Sequence, residues 1–524
     1  MNTTKQKSQE MNNDIYYRPP WTCGKYNAEK HVAIMFNLLS RMNYFYENES
    51  ADVIGIILKA GRNGMINVQD VSQALDIAPV SISKFFQKLY NDGLLSKTII
   101  TNEAIEEYRN LFRTRRRNTE KEEKKFGHFI DNRDKTPYMA YANAVKDDVT
   151  ILEAMFELTY RCSEKCIHCY NPGATRNDNE RSGRADYTEL SWAEYKYIID
   201  DLCDEGLTTA TISGGDPFSN RYAWDIIEYL HQKDIAVSIL TNGLSISGYG
   251  EKLAALYPVS IQFSIYSGDA KVHDSITRVK GSWEKTIGVI DELHGLSIPI
   301  DIACPIIRTN LKSYSSVKPI MEKYGSNYWF DLMITDSNDG DKCVSHNLRL
   351  TPEQMEIVLL DQDVMQHVPI DNLNDDDSSS TIEEQKEAPC GAMYYSYCVN
   401  PSGILTPCCA FPMALGDLKK NKISTIVDNN FFVKNWGKTD SKSYEECFTH
   451  EYCDYCFPCP GNNFIDKGDP FKAGENNCYI AKIRYNTILK LKNGKDILHG
   501  KTINERINEL KVQIPTLNRE YENG

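Results

Sequence analysis

Residues 152–170 read LEAMFELTYRCSEKCIHCY. A strand-length apolar run, LEAMFEL, passes within a few residues into Cys162, Cys166 and Cys169, with three and then two residues between them. Three thiols in one loop are an incomplete set for a structural site, because zinc sites and fully ligated iron–sulfur clusters take four protein ligands. Three thiolates can instead hold three irons of a four-iron, four-sulfur cluster. The fourth iron is then open to a small molecule, which is the logic of a catalytic metal site. The competing reading is a zinc knuckle completed by His168, but its place beside Cys169 suits chelation of the same ion poorly.

Downstream, strand candidates recur as TTATI, IAVSIL, VSIQFSI, PIDIAC and YWFDLMI, with helical stretches between most of them. The first such stretch, SWAEYKYIIDDLCDEG, opens on a capping box with Ser191 as N-cap and Glu194 three residues on. Alternating strands and helices predict a parallel sheet. Six units are too few for a closed eight-fold barrel, so the expected core is an α/β partial (β/α)6 barrel over 151–350. Ligand chemistry then belongs at the C-terminal ends of its strands. The cysteine trio follows the first strand and lies at that end. SGGDP (213–217) follows the second strand, Thr241-Asn242-Gly243 ends the third and Ser264 ends the fourth; Arg278 stands further on in SITRVKGSW. Taken singly, each of these also reads as a turn former or a surface charge.

The order Cys-xxx-Cys-xx-Cys after the first strand of a partial barrel resembles the radical S-adenosylmethionine superfamily. That resemblance implies a cluster held by Cys162, Cys166 and Cys169, with S-adenosylmethionine on the open iron and cleaved to a deoxyadenosyl radical. His168 stands where an aromatic residue is common. Gly214, Gly215 and Asp216 resemble the family's Gly-Gly-Glu-Pro loop, with Asp in place of Glu. The same resemblance implies that Asn242 lies at the cofactor, that Ser264 contacts its ribose and that Arg278 pairs its carboxylate.

The chain has sixteen cysteines, and nine of them lie between 390 and 478. Clustered cysteines in a chain without a secretory signal point to metal or redox chemistry rather than disulfides. Cys390, twelve residues, Gly403, four residues, Cys408, then Cys447, Cys453, Cys456, Cys459 and Cys478 resemble the SPASM domain over 390–485. This resemblance implies two auxiliary four-iron clusters, for three [4Fe-4S] clusters in all. By order, Cys447, Cys453, Cys456 and Cys478 would hold one cluster. Cys390, Cys408 and Cys459 would hold the other, with an open iron or with Cys398 or Cys409 completing it. The gaps of five, two and two residues within 447–459 depart from the family's usual order. Cys23, Cys203, Cys304 and Cys343 read as ordinary buried thiols.

Residues 1–101 begin strand-rich and continue with three helical patterns, ADVIGIILKAG, NVQDVSQALDI and PVSISKFFQKLYNDGLL. The pattern is winged-helix-like, yet its third helix offers only Lys84 and Lys88 as cations, few for phosphate contacts. It resembles the PqqD-like domain that binds a leader peptide as an added strand. A charged helical linker is expected over 102–150, a helix and acidic linker over 351–389, and a C-terminal tail over 486–524. RTRRR at 113–117 is followed within a few residues by EKEEKK, a solvated pattern. With a net charge of −14, no apolar run long enough to span a bilayer and a polar N-terminus, the expectation is a cytoplasmic enzyme without nucleic-acid or membrane partners.

Taken as a whole, the chain resembles a radical maturase of a ribosomally made peptide. The expected product is an intramolecular cross-link, foremost a cysteine thioether. The expected partners are a precursor peptide with its leader and a flavodoxin- or ferredoxin-type electron donor. Carbon–carbon cross-linking, epimerisation and formylglycine formation are the alternative reactions, and an iron–sulfur DNA-binding regulator is the non-enzyme alternative.

Overall fold

The computed structural model describes residues 15–101, 105–109, 111, 136–147, 150–171, 187–325, 327–338, 343–368, 370, 390–436, 439, 441–444 and 446–512. The acidic stretch 371–389, the basic run 113–117 and the polar N-terminus through residue 14 lie outside the described residues.

Strands β1 (Ile15–Tyr17), β2 (Thr22–Asn27), β3 (Val32–Asn37), β4 (Met42–Glu47) and β5 (Met65–Asn67) belong to the N-terminal domain. There β2, β3 and β4 form an antiparallel sheet, and β1 pairs with β5. Helices Glu49–Lys59, Val68–Leu75 and Pro79–Asn91 follow the three helical sequence patterns. Asn67 caps the second of these through the Gln69 amide, and Pro79 opens the third, where a missing N–H costs nothing. β3 is buried on both faces. Ala33 and Met35 join the core made with the helices, whereas Val32, Ile34 and Phe36 turn the other way.

The barrel strands are β6 (Glu153–Glu157), β7 (Thr209–Ser213), β8 (Ala236–Leu240), β9 (Ser260–Ser264), β10 (Ile300–Pro305) and β11 (Asn327–Asp331), each parallel to its neighbours. Period-two alternation explains their two faces. Ala154, Phe156, Ala210, Ile212, Val237, Ile239, Ile261 and Phe263 are buried against the surrounding helices. The opposite row is largely polar and runs in register from Met155 to Thr211 to Ser238, with Gln262 beside Asp301 and Asn327. This row lines the lumen. The capping box at Ser191 and Glu194 opens helix Trp192–Asp204.

Two features lie beyond the sequence expectations. The cysteine-rich region does not merely follow the barrel; it extends the barrel's sheet. Its strand β12 (Ser396–Val399) pairs parallel to β6, and β13 (Ile404–Thr406) and β14 (Gly416–Asp417) continue the sheet in antiparallel fashion. Helix Glu475–Lys492 also runs straight through residue 485, and Lys490 and Tyr479 tie it to Glu356 and to the Leu350 carbonyl.

The N-terminal domain is fastened to the lower end of the barrel, where the strands begin. Arg18, fully buried, meets Asp234 at 2.8 Å just before β8. Arg41 takes both Asp301 carboxylate oxygens at 2.9 and 2.7 Å, near the start of β10. Lys25 donates to the Cys203 carbonyl at 2.7 Å. Around these polar ties Trp21, Ile34 and Phe36 share one apolar core with Tyr141, Leu152, Ala236 and Tyr257. Arg18→Ala leaves Asp234 to Arg62 alone, opens a cavity in place of a fully buried side chain and frees the Leu58 and Thr22 carbonyls that the guanidinium also serves. A loss of about 3 kcal/mol is expected in urea denaturation, and an unchanged midpoint would contradict this account of the docking.

Candidate metal and cofactor site

The upper ends of four consecutive barrel strands converge on one surface. β6 leads into the cysteine loop and β7 into SGGDP. The Gly215 amide donates to the Thr159 carbonyl at 2.7 Å, and the Asp216 amide donates to the Arg161 carbonyl at 3.0 Å. A Cβ on Gly214 would lie 2.4 Å from the Thr159 oxygen, and one on Gly215 would lie 2.4 Å from the Arg161 oxygen. Gly214 also has φ +129, a region only glycine occupies without strain. The glycines are therefore required first for close approach to the cysteine loop, before any contact with a ligand.

The cysteine loop is held on its other side by helix Ala270–Thr277. Lys165 and Ile167 donate their amides to the carbonyls of Thr277 and Ile276 at 2.9 and 3.0 Å. Cys162, Cys166 and Cys169 stand close enough to raise one another's proton affinity. Burial, above all, pushes the Cys162 thiol up to about 12 and Cys166 well above its ordinary range. Buried thiols of this kind stay protonated unless a cation takes the place of the proton, which fits ligands of a metal cluster. Among the described residues no three His, Cys, Asp or Glu side chains converge as ligands of one ion.

The remaining cofactor candidates fall around the trio. Asn242 donates to Cys162 Sγ at 3.4 Å and to Ser163 Oγ at 3.1 Å. Asp216 is fully buried and accepts the Thr241 hydroxyl at 2.5 Å; burial raises its pKa. Arg278 caps helix Ala270–Thr277 in the left-handed region, φ 57, next to the Thr277 carbonyl that holds Lys165. Ser264 closes the lumen row of β9, two residues before Tyr266, whose hydroxyl lies 3.8 Å from Cys166 Sγ. His168 packs edge-on against Tyr266, ring centroids 4.9 Å apart, and burial drives its pKa down to about 4. It serves as a neutral aromatic plug.

The C-terminal thiols form two groups. Cys456 is raised first by burial and then by Cys478, Cys453 and Cys447, so these four lie within electrostatic reach of one another. Cys390 interacts with Cys459, and Cys459 with Cys409. Cys408 accepts the Ala410 amide at 3.2 Å and bonds to Cys409, with Cys398 in reach. An aromatic cluster of Phe411, Phe432, Trp436 and Phe471 forms the core beneath them.

Five residues near the thiols escape the sequence reading. Glu157, at the top of β6, is buried beside Cys409, which together push it up to about 8, and its Oε1 has no hydrogen-bond partner. Its position in the lumen row of LEAMFEL was the available signal. Burial raises Asp331, at the top of β11, to about 6, and Glu164, between the cysteines, to about 7. Tyr170, directly after Cys169, is pushed up by Cys409 nearby, and Asn338 joins the cysteine loop to the C-terminal region by donating to the Tyr170 and Cys409 carbonyls, both at 2.9 Å. No sequence signal marks that long-range contact.

Comparison with known proteins falls on the same elements. Residues 156–312 match the Radical SAM superfamily. The antilisterial bacteriocin subtilosin biosynthesis protein AlbA of Bacillus subtilis (strain 168) is 27% identical over 314 residues, 59% of this chain and 67% of AlbA. Mycofactocin maturase MftC of Mycolicibacterium smegmatis is 29% identical over 173 residues, 33% of this chain and 42% of MftC. The structure of Streptococcus suis SuiB bound to precursor peptide SuiA superposes with a TM-score of 0.51 at 14% identity, covering 88% of this chain and 99% of SuiB, a likeness of fold. Since the matched span opens on β6 and takes in both the cysteine loop and the glycine loop pressed against it, the chain carries a domain of the Radical SAM superfamily, whose members use S-adenosylmethionine and a four-iron, four-sulfur cluster.

Proposed function

We propose that this enzyme is a maturase of ribosomally made peptides that installs an intramolecular cross-link, foremost a thioether between a substrate cysteine sulfur and a peptide carbon. The observation that carries this reading is the extension of the barrel sheet through β12, which brings a second body of thiols beside the trio's loop. The names of AlbA and MftC, a bacteriocin biosynthesis protein and a maturase, point the same way.

In this reading Cys162, Cys166 and Cys169 hold three irons, and Gly214, Gly215, Asp216, Asn242, Ser264 and Arg278 surround the place of the cofactor. When bound, the cluster and S-adenosylmethionine supply a deoxyadenosyl radical. Cys447, Cys453, Cys456 and Cys478 hold one auxiliary cluster, and Cys390, Cys408 and Cys459, with Cys409 adjacent, hold the other. Closing a thioether removes two hydrogens from the peptide. One leaves carbon as an atom, and the other leaves sulfur as a proton with one electron remaining. The C-terminal thiols are where an acceptor for that electron would be kept. A flavodoxin- or ferredoxin-type protein provides the reducing electron. The N-terminal domain binds the leader, with β2 and β4 as the outer strands of its sheet.

The direct test is coexpression with the short peptides encoded beside the gene, followed by mass spectrometry. A cross-link lowers the peptide mass by two hydrogens, and an unmodified peptide despite deoxyadenosine release would overturn the maturase reading. Replacing Cys162, Cys166 and Cys169 together with alanine should remove about a third of the iron, if the clusters contribute equally, and all deoxyadenosine formation; persistent cleavage would refute the assignment of the trio. Gly215→Ala should weaken S-adenosylmethionine binding by roughly tenfold, about 1.4 kcal/mol, because the loop must shift off the Arg161 carbonyl. Equilibrium dialysis on the anaerobically reconstituted protein reads this, and an unchanged affinity would show that the loop's placement is immaterial.

A further inference from the structure

Recognition domain and radical site occupy opposite poles of the barrel. Among the described residues the polar ties of the N-terminal domain reach the lower pole: Arg18 and Arg62 to Asp234 before β8, Arg62 also to His231, Arg41 to Asp301 near the start of β10, and Lys25 to Cys203 at the end of the helix leading to β7. The apolar contacts agree, with Leu152 preceding β6, Ala236 opening β8 and Tyr257 preceding β9. The cysteine trio, Gly215, Asn242 and Ser264 all stand at the other ends of the same strands.

The lumen is obstructed at its lower pole. Asp301 belongs to the lumen row, in register with Gln262 and Asn327, and the Arg41 guanidinium covers both its oxygens. Glu153, at the lower end of β6, is half-buried beside Tyr138, whose hydroxyl bonds to the Thr208 hydroxyl at 3.4 Å. Arg41 thus closes the lower end of the lumen at Asp301. A peptide held by the N-terminal domain must therefore pass around the outside of the barrel before entering from above.

We infer that the enzyme accepts only precursors in which a spacer of about nine residues or more separates the segment bound by the N-terminal domain from the residue that is modified. The inference rests on the maturase reading above. β6 to β9 are five residues each, which at ~3.3 Å per residue gives about 16 Å. Allowing a comparable length for the docked domain below and the loops above gives about 30 Å, and an extended chain covers at most ~3.5 Å per residue. The bound on length is one-sided. Below it the chain does not reach, whereas above it each doubling costs only about 0.6 kcal/mol of loop entropy.

The test uses a synthetic peptide with the sequence of the short reading frame beside the gene, labelled with fluorescein at its N-terminus. Spacers are shortened to three and six residues and lengthened by five and ten. Anisotropy should give one affinity across the series. Mass spectrometry after anaerobic turnover should show at least a tenfold loss of modification for the two short spacers and less than a threefold change for the long ones. Full modification with the three-residue spacer overturns the inference, as does a loss that is equally steep on lengthening. Absence of both binding and modification for the native spacer, with deoxyadenosine still released, instead overturns the maturase reading itself.

Discussion

The upper end of the barrel depends on two backbone hydrogen bonds, Gly215 N to Thr159 O and Asp216 N to Arg161 O. They press the loop after β7 onto the loop after β6 at a separation that any Cβ on residues 214 and 215 would violate. From that contact the rest follows in sequence. Asp216 is driven into a fully buried position and takes the Thr241 hydroxyl, which fixes the loop after β8. Asn242, next in that loop, then reaches Cys162. Three strand ends are locked together by two backbone hydrogen bonds and by the Asp216 and Asn242 side chains, and helix Ala270–Thr277 closes the fourth side through Lys165 and Ile167. Helix, loops and thiols become one rigid surface without a disulfide, which suits chemistry in which an electron and a hydrogen atom must travel fixed short paths.

The same strands serve two ends with different physics. Their outward rows are apolar and give the helices a continuous core, so the barrel stands on ordinary hydrophobic burial. Their inward rows are largely polar, and a polar lumen stays tolerable only while its buried groups find partners. At the lower end the partners come from another domain. Arg41 takes both oxygens of Asp301, and Tyr138 lies against the half-buried Glu153. At the upper end Glu157 keeps an oxygen without one. The lower end is therefore the settled end of the lumen, and the upper end retains unmet bonding capacity where chemistry is expected.

How much of this was legible in the sequence divides along contact range. The six barrel strands, the Ser191–Glu194 capping box and the three N-terminal helices were readable because periodicity and caps are local. The trio and SGGDP were readable because their spacing and register after strands carry their meaning. The pairing of β12 with β6 was not, since Ser396 lies more than two hundred residues from Glu153 and its four-residue strand has no distinctive pattern. The docking of Arg18 on Asp234 was hidden for the same reason, compounded by a buried arginine being indistinguishable in sequence from a surface one. Helix Glu475–Lys492 overruns the boundary read at 485 because burial on several sides weakens its amphipathic signal, with Ile480, Ala481, Ile483 and Thr487 all buried.

The pairing of β12 with β6 has a further consequence for the two bodies of thiols. Had the cysteine-rich region been attached by loops alone, the distance from the trio to the C-terminal thiols would vary with loop motion. Parallel register fixes it instead: Cys398 sits opposite Met155, and Val399 opposite Phe156, within two residues of the start of the cysteine loop. A slip by one residue would turn Cys398 out of the lumen row and carry Val399 into it, so burial itself enforces the register. Asn338 adds a second tie, its amide donating to the Tyr170 carbonyl and its side chain to the Cys409 carbonyl, both at 2.9 Å. Two independent constraints, one from the sheet and one from a side chain, hold the same separation.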